Sequence, residues 1–168
     1  ASSSTIMGLL LVTAIVSIPV AAKCSNILGK NFSYCVGLAV LCISTMVIFF
    51  IGHRIGVIGL SLLFVAAGVG VGFAFATPWA MLPDAIAWQP DTVHNEGCYY
   101  GVWTFASKLG QAISTGVSGL ILSAAGYCAD VIQPPKTIFA IRFIAGPIAA
   151  TMCLCGLILI HFYPIDKK

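Results

Sequence analysis

Lys108 is the residue whose chemistry most needs explaining. It lies inside Tyr99–Gly126, YYGVWTFASKLGQAISTGVSGLILSAAG, a stretch long and apolar enough to be read as a membrane crossing. At ~1.5 Å per residue the ammonium is ~13 Å from the nearer end, close to the middle of a hydrocarbon core ~30 Å thick. A charge at that depth costs roughly 2.5–3.5 kcal/mol or more, and such residues usually mark a pathway or a binding site. Thr104, Ser107, Lys108, Gln111, Ser114, Thr115 and Ser118 recur at spacings of three and four, so a helix gathers them on one face. Two readings follow: a helix lining a water-filled or substrate-binding cavity, or hydroxyls packed between helices with Lys108 in a buried pair.

The whole composition points to a polytopic membrane protein. The chain of 168 residues is 60% hydrophobic and 8% charged, with mean hydropathy +1.04, which excludes an ordinary soluble domain. The net charge of +3 is scattered, with no basic block to hold nucleic acid. Seven cysteines, most in or beside apolar runs, read as small hydrophobes, and their spacing fits neither a disulfide framework nor a metal site. No metal-protease, GxSxG or phosphate-loop context is present, so an enzyme is the least supported class.

Hydropathy predicts an all-α membrane protein of five transmembrane helices, at about residues 5–22, 34–51, 55–76, 99–126 and 137–162. Lys23–Ser33 reads as a polar loop, and Gly52, His53 and Arg54 as a tight turn that makes spans 2 and 3 antiparallel neighbours. Gly68, Gly70 and Gly72 predict close approach of helices rather than a phosphate loop. Pro78, Pro83 and Pro90 predict that no continuous helix runs through the segment before span 4, whose Trp79 and Trp88 suit the membrane interface. Lys23, Lys30, Lys167 and Lys168 lie on one side, against Arg54, Lys136 and Arg142 on the other. Four against three places the first loop and the C-terminus in the cytoplasm.

NEGCYYGVWTFASKLGQAIS, preceded by PWAMLPDAI and followed by AGY, IRF and FYPID, resembles the second half of the glycoside–pentoside–hexuronide:cation symporters of the major facilitator superfamily, the melibiose permeases among them. The related sodium-dependent lysophosphatidylcholine symporters are similar across PWAMLPD and YPID. The resemblance implies that residues 1–168 are a partial C-terminal transmembrane domain, helices 8–12 of twelve. It implies cation-coupled sugar or glycoside transport by alternating access in a cell membrane. No organic cofactor is implied; the coupling Na⁺ or H⁺ would be bound mainly by N-terminal helices absent from this chain. Lys108 falls on the helix 11 lysine near the substrate and cation sites, and Asp84, Glu96 and Gly97 match the loop between helices 10 and 11. The chain departs from the family pattern in having Ala87 and Trp88 after Asp84, Pro90 at a common acidic position, and His94 where a basic residue is usual.

Five acidic residues occur in the chain, and all are expected at span ends, in loops or in the tail, so the partner of Lys108 must be a ligand, water or another helical half. Gln111 and Thr104 are candidate substrate hydrogen-bonders, or helix–helix contacts. Trp103 and Tyr100 are a candidate platform for a sugar ring, or an interfacial belt. Asp84 and Glu96 with Lys30 are a candidate cytoplasmic gate, or solvated loop charges. Arg142 either snorkels or gates, and His53, His94 and His161 are expected at interfaces. Besides a symporter acting with the lipid bilayer, a small solute and a missing N-terminal half, the pattern allows a lysolipid symporter or a membrane assembly subunit without transport of its own.

Overall fold

The computed structural model describes residues 3–52, 54–87, 96–128, 131 and 133–162. Five long helical segments follow one another: α1 (Ser3–Leu28), α2 (Lys30–Ile51), α3 (Val57–Ala87), α4 (Glu96–Ala124), and a last one made of α5 (Pro135–Phe143), a π-helical turn (Ile144–Ile148) and α6 (Ala149–His161). The described residues form no strand. Four segments are long and apolar enough to cross a membrane: Thr5–Leu28, Lys30–Ile51, Val57–Ala87 and Pro135–His161. The chain is an all-α, multi-pass membrane protein. Helix α4 is as long as its neighbours but does not reach their apolarity, because hydroxyls, Gln111 and Lys108 interrupt its hydrophobic surface.

Helix α3 is the centre. It packs chiefly against α1 and α2, while α2 also holds α6 and the π-helical turn. Small residues let the backbones meet. A Cβ built on Gly68 would stand 2.6 Å from the Leu10 carbonyl oxygen, and one on Gly72 2.6 Å from that of Ala14 and inside the Ser17 hydroxyl. Gly70, half a turn away, faces α2: its Cβ would stand 2.8 Å from the Leu41 nitrogen and 3.0 Å from the Gly37 oxygen. Even-numbered glycines thus serve both neighbours, as the sequence predicts. In lipid, where apolar burial gives little drive for helix association, such close contact supplies the cohesion.

Two expectations about breaks are corrected. Lys23–Ser33 is not a loop: α1 continues to Leu28 and α2 begins at Lys30, so Gly29 alone reverses the chain. Its φ of 93° lies where a side chain is strained, and polarity at Lys23, Ser25 and Asn26 marks the end of the apolar span rather than of the helix. Nor do Pro78 and Pro83 stop α3, which runs through both to Ala87. Each proline leaves the carbonyl four residues back, Ala74 or Trp79, without its intrahelical donor, and side-chain donors reach the carbonyls next to these. The buried Thr77 hydroxyl donates to the Phe73 carbonyl at 2.8 Å, and Lys30 Nζ donates to the Ala80 carbonyl, beside the one Pro83 leaves without its donor, at 2.8 Å. Pro90, Trp88, Asp91 and His94, like His53, Asp130, Asp166, Lys167 and Lys168, lie outside the described residues.

The last span is continuous but not uniform. Pro147 cannot donate to the carbonyl one turn back, and the helix widens to a π turn there. That turn carries Gly146 against α2, where a Cβ would stand 2.6 Å from Phe49 Cβ.

The α3 glycines give a direct prediction for the full-length protein. Gly72→Val should destabilise it by about 1–3 kcal/mol, since the obstacle is backbone as well as Ser17. Gly116→Ala in α4, where nothing lies within 4 Å, should leave the melting midpoint unchanged or raised. Thermal melts of the two purified variants decide this.

Candidate functional site

The amphipathic pattern of α4 sets its position. Phe105, Leu109, Ile113, Val117 and Leu120 are exposed on one flank and Thr104, Lys108, Gln111 and Thr115 on another. None of its described residues is buried. Its main contacts lie on a narrow strip between these flanks, against α3 near one end and α5 near the other. Trp103 packs edge to face on Trp79, with ring centroids 6.4 Å apart. At the far end, the buried Thr137 hydroxyl donates to the Ala125 carbonyl at 2.7 Å. Gly126, with φ 79°, closes the helix there, and Tyr127 N–H reaches back to the Leu122 carbonyl at 3.0 Å.

Between these anchors α4 stands clear of the bundle, and there the polar stripe lies. Lys108 Nζ donates to Gln111 Oε1 at 3.3 Å, so the structure joins two of the candidate residues. The Thr115 hydroxyl is turned inward to the Gln111 carbonyl at 2.9 Å, and that of Ser107 to the Trp103 carbonyl at 2.8 Å. Among the described residues no carboxylate lies within ion-pair distance of Lys108. Lys108 is twelve residues after Glu96, ~18 Å along a helix ~43 Å long, and so lies near the middle of the helix. Thr104 and Tyr100 are exposed. Trp103 is separated from them: it turns to Trp79 and the bundle, ~100° round the helix from Thr104.

The second group lies at one end of the molecule. Lys30, the first residue of α2, forms an ion pair with Asp84 in the last turn of α3 and also takes the Ala80 carbonyl. Each charge stands at the unfavourable end of its own helix dipole, a cation at an N-terminus and an anion at a C-terminus. Their mutual attraction offsets both mismatches. Glu96 instead opens α4, where a carboxylate complements the dipole. The structure therefore brings together Lys30 and Asp84, and leaves Glu96 exposed at the start of its own helix.

The opposite end holds a contact that charge counting did not foresee. Arg142 donates to the Phe49 carbonyl in the last turn of α2 and lies 5.9 Å from the centre of the Phe49 ring. Phe139 lies edge-on to Phe49 at 6.3 Å and stacks with Phe143 at 6.1 Å. The aromatic spacing in FAIRF and the Phe49–Phe50 pair were the available signal. His161 ends α6 beside Phe162. Among the described residues no His, Cys, Asp and Glu side chains group as metal ligands.

The sequence as a whole matches the model of the MFS/sugar transport protein family over residues 1–167. The chain belongs to this family. Among curated proteins it is similar to an uncharacterized symporter of Synechocystis sp., 38% identical over 109 residues, covering 60% of this chain and 20% of that protein. It is also similar to the human sodium-dependent lysophosphatidylcholine symporter 1, at 35% over 62% of this chain and 20% of the relative. A glucuronide carrier protein homolog of Escherichia coli is 32% identical over 61% of this chain and 23% of the carrier. The matched stretch thus spans about a fifth of the length of these relatives. Family and relatives are transporters, not enzymes.

The ion pair in this family member yields a signed prediction. Asp84→Asn alone should lower stability of the full-length protein by about 1 kcal/mol, leaving Lys30 against the α2 dipole. The double variant Lys30→Gln/Asp84→Asn should recover most of that loss, as read from a double-mutant cycle of melting curves.

Proposed function

We propose that this chain is the C-terminal, helix 8–12 part of a cation-coupled symporter for a sugar, glycoside or related small solute, working by alternating access. The observation that carries the reading is the exposed polar face of α4, with Lys108 near the middle of the helix and only Gln111 as its partner among the described residues. A flank so polar is costly against lipid and suits a wet cavity between two helical halves. Lys108 and Gln111 present an ammonium and an amide to that cavity, a combination that recognises hydroxyl or carboxylate oxygens. Thr104 and Tyr100 extend the same surface. The Trp103 ring, turned to Trp79, shapes the bundle side of the cavity wall rather than its polar face.

Transport needs no covalent chemistry here. The coupling ion, Na⁺ or H⁺, is held chiefly by carboxylates of the N-terminal half, and Lys108 senses its occupancy across the cavity by Coulomb interaction. When the site is empty, Lys108 pairs with a freed carboxylate; when ion and substrate bind, it turns to substrate oxygens. In this reading Lys30 and Asp84 form the cytoplasmic gate, Glu96 opens α4 on the same side, and the C-terminus is cytoplasmic. The similarity to lysophosphatidylcholine symporters supports a second reading of the substrate, a zwitterionic lysolipid whose phosphate Lys108 would face. A purely structural role for Lys108, pairing with a helix of an assembly partner, is the reading the experiment must separate.

The test is substrate-dependent cation uptake by proteoliposomes of the full-length protein, screened over glycosides, uronides and lysolipids. Lys108→Ala should reduce coupled uptake by at least ten-fold, with Lys108→Arg retaining part of it. Unchanged uptake and affinity in Lys108→Ala would exclude the role.

A further inference from the structure

Near the Lys30–Asp84 end, a cavity of about 220 Å³ opens between four helices. Tyr34 of α2, Met81, Leu82 and Ala85 of α3, Trp103 of α4 and Ile160 of α6 line it, and the lining is almost wholly apolar. One polar feature breaks this pattern. Trp103 Nε1 is shielded from solvent and has no hydrogen-bond acceptor among the described residues. A buried N–H left unpaired is costly, and indoles at membrane interfaces ordinarily direct that group to a polar neighbour. The space beside Trp103 therefore suits a molecule that is apolar along most of its surface and carries an acceptor at one point.

Depth narrows the choice. Trp103 lies seven residues into α4, ~10 Å along the axis from Glu96, and Tyr34 four residues into α2, ~6 Å from Lys30. Helix α4 is about as long as a whole bilayer with its headgroups, each headgroup layer occupying roughly 5–8 Å. The cavity then lies just inside the boundary between headgroups and hydrocarbon. The acceptors a bilayer offers at that level are the ester carbonyls of its phospholipids, each joined to an acyl chain that continues inward.

We infer that the cavity between Tyr34, Met81, Ala85, Trp103 and Ile160 is a binding site for a bilayer diacyl phospholipid, with an ester carbonyl accepting the Trp103 Nε1 hydrogen and the adjoining acyl segment against Met81, Leu82 and Ile160. The site is separate from the stripe of Lys108 and Gln111, on the other side of the Trp103 ring. It requires that the protein be embedded in a membrane, not that it transport any particular solute. The lipid fills space between α4 and the rest of the bundle where protein contact is sparse, and so becomes part of the seat on which α4 rests.

Ether-linked phospholipids have the same chains and headgroup but no carbonyl. The full-length protein, reconstituted in nanodiscs of equal diester and diether phosphatidylcholine, is extracted gently, and its retained lipid is weighed by native mass spectrometry. Wild type should retain diester over diether by about five-fold, the worth of one hydrogen bond. Trp103→Phe, which keeps the ring, should bring the ratio near one while lipid is still retained. Ala85→Phe, which fills the cavity, should reduce retention of both. Equal retention by the wild type would overturn the proposal. So would a diester preference that survives Trp103→Phe, since the acceptor would then serve another donor.

Discussion

Everything in this fold depends on how closely backbones approach along α3. A bilayer offers apolar side chains on all sides, so helices there gain little by hiding leucines from lipid, and cohesion must come from contact at short range. Glycines of α3 meet α1 through Leu10, Ala14 and Ser17, and α2 through Gly37 and Leu41. A single residue, Gly29, joins α1 to α2 and holds both at the spacing that α3 requires. Many large side chains on the outer faces, such as Ile15, Ile43, Leu62 and Phe75, are exposed, as lipid-facing residues are. Exposure of that kind is expected in this solvent and is no defect of packing.

Helix α4 follows the opposite logic. It too has glycines (97, 101, 110, 116 and 119), but no described residue approaches within 4 Å of a Cβ at any of them. It is pinned near its two ends, by Trp103 on Trp79 and by the Thr137 hydroxyl on Ala125, and its middle stands free of the described helices. The middle is where Lys108 and Gln111 lie. A helix held at its ends and open at its centre can present polar groups to a cavity without bringing the bundle's core into contact with water. The same sparseness makes its seating sensitive to whatever occupies the gaps beside it.

Much of this was legible in the sequence because membrane chemistry is simple at coarse scale. Hydropathy located every long helix, and spacing of three and four gathered the polar residues of α4 on one flank. Paired small residues in AAGVGVG announced close approach. Boundaries were less legible for a physical reason: apolarity ends where the hydrocarbon ends, whereas hydrogen bonding continues. Helix α1 therefore runs on past Ala22 to Leu28, and α3 through Pro78 and Pro83 to Ala87. Prolines in a span are read as breakers from local chemistry alone, but α3 runs through both, with Thr77 and Lys30 donating to carbonyls beside the orphaned ones, and Lys30 comes from another helix. Facing direction was the other hidden quantity. Trp103 and Thr104 are adjacent in sequence, yet only the first turns to the bundle, and that choice is made by Trp79, which no periodicity within α4 can report.

The two cation contacts show how the ordered block is closed. Helix α2 is tied at both ends by side chains reaching across to other helices. At its start Lys30 binds Asp84 and the Ala80 carbonyl of α3, and at its end the Phe49 carbonyl receives Arg142 from α5. The second contact is dipole-favoured, a guanidinium at a helix C-terminus, and its aromatic surround and the close fit of Gly146 make it a fixed joint. The first is not: both of its charges oppose their own helix dipoles and persist by attracting each other. A joint whose partners each lose by standing alone, yet which lies half in water, can be released by a modest competing charge. The molecule thus has one end set by packing and the other set by electrostatics.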